Sequence, residues 1–347
     1  MRFCIFLHFF TFLHFWKSYL RKADTMKTAF LYNPKAGSKL PPSVVLSRLA
    51  AFFEGDELLA ADSALPGFGI PLTLVGAAAE GLGYFDAILA GVRALAEAGA
   101  ERFACVGGDG TATYLRTALY ILGLDLPILG VAAGTANVGP IISVKLEDLE
   151  GRHISEARET CYDGVAVLDR EGNLVSLAFN DLIVGDTFLA TVEGKSCNVS
   201  VHALLDQGKL IPRTPREDLI RPDFHVELNG RTITPALKDV RQIVISSVAH
   251  ESHYGRAVYG PIGKCDWSVK KGLIALCDHI AVTFKENDAG TERFSAMQYL
   301  LFGPGDSVVL RGFEPEAALV CDGNPYKLAG NAFAVRYEKD LVRTITI

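Results

Sequence analysis

The passage from Arg102 to Leu122 constrains the fold of this chain more than any other stretch. A short apolar run, Arg102-Phe103-Ala104-Cys105-Val106, reads as a buried strand. Val106-Gly107-Gly108-Asp109-Gly110-Thr111 then turns, and Thr111 to Leu122 reads as a helix. A strand that enters a helix through glycines suits a parallel sheet covered by helices. Without a Cβ, glycine lets backbone N–H groups approach anionic oxygens, and the helix aims its positive end at the same place. Asp109 is out of character among those donors. A carboxylate there repels phosphate unless it holds a cation or takes a proton from an attacking hydroxyl.

The alternation extends over residues 26–145. Residues 28–32, 72–75, 102–106 and 127–131 read as strands. Residues 42–53 read as a helix with Val45, Leu46, Leu49, Phe52 and Phe53 on one face, and residues 84–98 as a second helix stopped at Gly99. Ligands of such sheets bind beyond the carboxyl ends of the strands. Three of those ends carry glycine-rich, small-polar loops: residues 33–38, 107–111 and 132–137. Two familiar phosphate-binding patterns are excluded. No Gly-x4-Gly-Lys-Ser/Thr exists, and Thr113 stands where a dinucleotide fingerprint starting at Gly108 needs glycine.

Beyond about residue 160 the runs become short, β-branched and alternating: 165–168, 174–184, 198–204, 224–228, 240–248, 273–277, 280–284 and 307–310. Asn229-Gly230 between two such runs is a hairpin signal. The expected architecture is an α/β N-terminal domain with a parallel sheet (26–150), then a mostly antiparallel β-rich domain (151–330). Residues 331–347 read as C-terminal strands that could return to the first domain.

The bulk numbers narrow the function. Of 347 residues 49% are hydrophobic and 21% charged, enough for a sizeable core. A net charge of −6 without a Lys/Arg block disfavours nucleic acid or an anionic membrane as partner. Seven scattered cysteines without a Cys-x-x-Cys read as reduced thiols, hence a cytoplasmic protein. Residues 3–16 are Phe-rich, but 14 helical residues span only ~21 Å against the ~30 Å of a bilayer core. Residues 1–25 are therefore expected to be a non-native or mis-called extension with no stable membrane association, with a membrane anchor and then a signal peptide as the lesser readings.

With Gly107-Gly108-Asp109-Gly110-Thr111, the earlier Asn33-Pro34-x-Ala36-Gly37 and the later Gly134-Thr135-x-Asn137, the chain resembles the NAD kinase/diacylglycerol kinase superfamily. The likeness is closest to its divergent polyphosphate/ATP-NAD kinase branch, which takes in a protein encoded beside acetoin-catabolism genes. It implies a two-domain architecture with the active site in the cleft. It also implies a magnesium-dependent kinase with ATP or polyphosphate as donor and NAD as acceptor, commonly a homo-oligomer. Asp109 would be the base for the adenosine 2′-hydroxyl. Asn33, Gly37, Gly107, Gly108, Gly110, Thr111, Gly134, Thr135 and Asn137 would bind phosphate and nucleotide. Asn180 and Asp181, in Ala178-Phe179-Asn180-Asp181, match the acceptor-binding Asn-Glu/Asp pair, and Asp322 would hold magnesium.

The chain departs from the family in two places. Lipid kinases of the superfamily carry a late Asp-Gly-Glu whose Glu is the base; here it is Asp322-Gly323-Asn324, and Asn takes no proton. The Thr-Pro-Thr-Gly-Ser-type segment of NAD kinases is missing, its place open to His250-Glu251-Ser252-His253-Tyr254-Gly255-Arg256 or to the loop over 260–264. A lipid kinase and a non-catalytic nucleotide-binding regulator are therefore the rival readings. His250 and His253 make an incomplete zinc set, and Arg256, Lys264, Lys270 and Lys271 are candidate phosphate partners or a solvated face.

Overall fold

The structure, a computed structural model, describes residues 25–34, 36, 41–62, 65–77, 80–133, 137–248, 271–283 and 295–347. Its first part runs β1 (Lys27–Tyr32), α1 (Pro42–Phe52), β2 (Glu57–Ala60), β3 (Leu72–Leu74), α2 (Tyr84–Glu97), β4 (Arg102–Gly107), α3 (Asp109–Ile121), β5 (Ile128–Ala132) and β6 (Ile142–Val144). The strands pair in parallel in the order β3-β2-β1-β4-β5. Side chains alternate across this sheet as strand geometry requires. Phe30, Ala104, Val106 and Leu129 pack beneath α1 with Val45, Leu46, Leu49 and Phe52. Ala29, Phe103, Cys105 and Ile128 pack on the other face with Val92 and Leu95 of α2 and Leu115 and Leu119 of α3. Each large apolar side chain so buried contributes about 1.5–3 kcal/mol.

At the amino ends of these strands Arg102 meets Asp56 at 2.5 Å and Thr28 Oγ1 at 2.8 Å, with its guanidinium over the Phe53 ring. That end is anchored by charge, which leaves the loops at the carboxyl ends to form a site.

The second part follows as β7 (Arg158–Leu168), β8 (Leu174–Ala178), β9 (Leu182–Gly185), β10 (Thr187–Val192), β11 (Lys195–Ser200) and the short α4 (Val201–Gln207). Then come β12 (Ile220–Leu228), β13 (Arg231–Ile233), β14 (Gln242–Ser246), β15 (Gly272–Cys277), β16 (Met297–Phe302), β17 (Val308–Phe313), β18 (Ala318–Cys321), β19 (Asn324–Lys327) and β20 (Ala332–Thr346). Strands β16-β15-β14-β9-β18-β19 form a separate antiparallel sheet. Its inward residues, Leu182, Val184, Ile243, Ile245 and Leu319, share a core with Val165, Val167, Leu310, Phe313 and Phe333 of β7, β17 and β20. Strand β20 pairs antiparallel with β7 and touches β5 in parallel at Thr344 and Ile128, so the last strand joins the sheet of the first part. Among the described residues no helix is long and apolar enough to cross a membrane.

Several elements differ from the sequence expectation. The helix expected from Thr111 begins at Asp109, so the carboxylate lies in its first turn. The run 174–184 is two strands broken at Phe179-Asn180-Asp181, where the chain leaves one sheet for the other. Residues 198–204 are the end of β11 followed by α4, because Ser200 caps a helix by accepting the Ala203 N–H. Residues 280–283 form no strand, and the two C-terminal runs are one strand with an irregularity at Asp340, which has φ +48°. A strand at Glu57–Ala60 precedes the run taken as the second strand.

Candidate active site

Three turns meet where α3 begins. The first is Gly107-Gly108-Asp109-Gly110-Thr111, with Gly108 as the N-cap in extended conformation. N–H groups in the first turn of a helix have no carbonyl behind them within the helix and are open to anions. Close packing dictates the glycines. A Cβ at Gly107 would lie 2.8 Å from Thr111 Cβ, and one at Gly110 would lie 2.6 Å from Asn324 Oδ1. Asn33, just past β1, steadies the turn: its N–H reaches Val106 O at 2.9 Å and its Nδ2 donates to Thr111 Oγ1 at 2.9 Å.

Asp109 is held by the second turn, which follows β5. Its Oδ2 accepts N–H groups from Val138 at 2.7 Å and Gly139 at 3.0 Å. Among the described residues, its buried Oδ1 has no hydrogen-bond partner. Burial pushes the carboxyl up to about 6; the two N–H bonds oppose the shift and the Asp322 carboxylate adds to it. Asn137 stands beside it, its Oδ1 3.4 Å from where a Gly108 Cβ would be.

Phe179-Asn180-Asp181 is the third turn. Asn180 and Asp181 are buried, and Asn180 Nδ2 donates to Asp181 Oδ2 at 2.7 Å. Burial pushes Asp181 up to about 8, with Asp322 and Asp109 adding to the shift. At neutral pH Asp181 is therefore mostly protonated and can donate a hydrogen bond to a ligand oxygen or nitrogen.

Asp322 ties the third turn to α3. It sits in the two-residue turn of the β18–β19 hairpin, where Asp322 and Gly323 both have positive φ (+47° and +83°). Its Oδ1 accepts the N–H groups of Asn180 at 2.8 Å and Asp181 at 3.0 Å. Its Oδ2 accepts Thr113 Oγ1 at 2.6 Å and the Phe179 N–H at 2.8 Å. Two donors on each oxygen use up its lone pairs. Four protein donors thus already reach the carboxylate expected to hold magnesium. Among the described residues no group of three or more His, Cys, Asp or Glu side chains could hold a metal ion.

Of the other expected site residues, Gly37, Gly134, Thr135, His250, His253, Arg256, Lys264 and Lys270 lie outside the described residues. Lys271 acts on Asp306, in the connection before β17. Four contributors had not been singled out as site residues: Thr113, Ser246, and the backbone N–H groups of Val138 and Gly139. Asn324 had been noted only as the residue standing in place of a base. It donates from Nδ2 to Gly110 O at 2.8 Å, while Ser246 Oγ donates to Asn180 O at 2.7 Å. The Asp-Gly dipeptide between apolar runs was the legible signal for the β18–β19 hairpin. The other contacts join residues far apart in sequence and leave no local trace.

No family model matches the chain. An uncharacterized protein of Archaeoglobus fulgidus is 25% identical over 246 residues, 70% of this chain and 72% of the relative. Among solved structures, yeast NADH kinase in complex with NADH is similar with a TM-score of 0.52 at 10% identity, covering 92% of this chain and 82% of that one. A diacylglycerol kinase from Bacillus anthracis has a TM-score of 0.52 at 13% identity, covering 94% and 98%. The chain thus shares the fold of these solved structures: a parallel-rich sheet with helices, and a separate antiparallel sheet.

Proposed function

We propose that this protein is a phosphotransferase with an alcohol acceptor, an ATP- or polyphosphate-dependent NAD kinase that phosphorylates the adenosine 2′-hydroxyl. The observation that carries the reading is the state of Asp109. One oxygen is fixed by two N–H groups, the other is buried without a partner among the described residues, and the carboxyl titrates near 6. A carboxylate oxygen with no donor among the described residues can accept a hydrogen bond from a substrate hydroxyl. A base with that pKa is mostly ionised at neutral pH yet basic enough to take a hydroxyl proton.

In this mechanism the donor's phosphates lie against the N–H groups of the turn over 107–111, with Asn33 and Thr111 fixing its shape. Gly37, Gly134 and Thr135 would add donors. Asn137, Asn180 and Asp181 orient the acceptor. The acceptor O–H breaks as its oxygen bonds the terminal phosphorus; the proton passes to Asp109 Oδ1, and the donor's bridging P–O bond breaks. Magnesium would neutralise charge on the donor's phosphates. The described residues supply no cage for it, and no step here runs through it. We further propose that the enzyme is cytoplasmic and homo-oligomeric.

The fold is equally that of a lipid kinase, and Asn324 speaks against that acceptor. In the position of the lipid-kinase base it is an amide that donates to Gly110 O. The discriminating experiment offers the full chain NAD, NADH, and diacylglycerol in mixed micelles. Each is supplied with ATP or polyphosphate, and phosphorylated products are separated. NADP or NADPH as the main product supports the proposal. Phosphatidic acid as the main product overturns it in favour of the lipid reading. Nucleotide binding with no transfer from either donor overturns it in favour of a regulator.

A further inference from the structure

Asp322 ties the turn over 179–181 to α3 through both oxygens of its buried carboxylate. Three consecutive N–H groups, from Phe179, Asn180 and Asp181, converge on it, and the hydroxyl of Thr113 in α3 completes the set. Its own N–H donates to Asp181 O at 2.9 Å. Three successive amides pointing at one carboxylate is a conformation the backbone of residues 179–181 would not hold alone, since it interrupts the path from β8 to β9. The carboxylate is also buried beside two others. Among the described residues, the titratable groups that act on Asp109 or are acted on by it are Asp322 from the β18–β19 turn and Asp181 from the turn before β9. Among the described residues, the charge acting on Asp109 is negative.

We propose that Asp322 is a positioning residue: its carboxylate folds the Asn180-Asp181 turn against α3 and sets the negative field in which Asp109 works. It touches neither donor nor acceptor and acts through the residues that do. The geometry makes one group responsible for two properties, the shape of the acceptor turn and the basicity of Asp109. Burial raises the Asp322 carboxyl itself, and its four donors pull it back toward the anion. Removing that anion lowers the proton affinity of Asp109, because a like charge disfavours ionisation of its neighbour. The catalytic part of this inference rests on the kinase reading above; the shape and the field do not.

The test compares the full-length wild type with Asp322→Asn. Thr113→Val is included in case the first variant does not fold. Amide hydrogen exchange is followed at residues 179–181 and across α3, and the Asp109 carboxyl is titrated by carbon NMR. In Asp322→Asn, exchange at 180 and 181 is expected to accelerate at least ~10-fold relative to α3, the scale of a hydrogen bond to a charged group. The Asp109 midpoint is expected to fall. Thr113→Val keeps the charge, so the midpoint stays raised while exchange at Phe179, which shares Oδ2, accelerates. Unchanged exchange together with an unchanged midpoint in Asp322→Asn overturns the inference. If that variant does not fold, unchanged exchange at Phe179 in Thr113→Val does the same.

Turnover adds a separate readout. With the kinase reading right, Asp322→Asn raises the acceptor KM, lowers kcat and moves the acid limb of the pH profile to lower pH, leaving the donor KM in place. A wild type that transfers no phosphate defeats the kinase reading, while exchange and titration still judge Asp322.

Discussion

Asn324 donates its side-chain amide to the backbone carbonyl of Gly110 at 2.8 Å, across 214 residues of sequence. The contact seats the β18–β19 turn on the first turn of α3, so the β-rich domain reaches into the loop that would hold phosphate. Gly110 must be glycine for this to happen, because a Cβ there would lie 2.6 Å from Asn324 Oδ1 and 3.3 Å from Asp322 O.

Gly110→Ala is therefore expected to destabilise the fold by about 1–3 kcal/mol through overpacking. Asn324→Ala removes the nearer obstacle. The double variant should cost measurably less than the sum of the two single changes. Denaturant unfolding of the four proteins checks this, and strict additivity would contradict the packing described.

The pH dependence of transfer follows from Asp109. With its carboxyl pushed up to about 6, the base is protonated below that value. kcat/KM should rise with pH through about 6. An acid limb near 4, the range of an ordinary carboxylate, would show that Asp109 is not the titrating base.

Asp181 makes the opposite kind of prediction, about stability. Its folded pKa is raised to about 8, above the ~3.9 of an unfolded Asp. Its contribution is thus fully present below about 4 and is lost as pH rises through about 8. Asp181→Asn can keep accepting from Asn180 Nδ2 and carries no charge. It should raise Tm on the order of 5 °C at pH 8, with the gain shrinking toward pH 4. A Tm difference independent of pH would contradict the buried, charge-crowded setting.

At the far end of the sheet, Arg102 and Asp56 form an ion pair whose side chains are 13% and 8% exposed. Arg102→Ala leaves a buried carboxylate without its cation, at a cost of about 3–5 kcal/mol. The folded fraction should keep its transfer rate, since the pair lies at the amino ends of the strands. A loss of kcat in protein shown to be folded would place the pair in the site.

The N-terminal half was legible because its signals are local. Strand β4, the glycine turn and α3 follow one another within 20 residues, and the period of each is written in Phe103, Cys105, Leu115 and Leu119. The Asn229-Gly230 hairpin was legible for the same reason, and both residues adopt positive φ (+53° and +74°). The break at Phe179-Asn180-Asp181 was not. Leu174 to Val184 is apolar nearly throughout, and what stops the strand is a carboxylate about 140 residues later. In the sequence Asp322 stands in the Asp322-Gly323-Asn324 motif as a candidate magnesium ligand. Only the fold shows that four donors already occupy it. Asn324 was read as a missing base, and its amide turns out to hold the Gly110 carbonyl.

The most direct test compares NADP formation by the wild type and Asp109→Asn under saturating NAD, magnesium and donor. The Asn side chain can still accept from Val138 and Gly139 through its oxygen, so the fold should survive with little change in Tm. The account predicts a fall in kcat of about 10²–10⁴, the scale of a positioned base. Turnover close to wild type in the folded variant would contradict it.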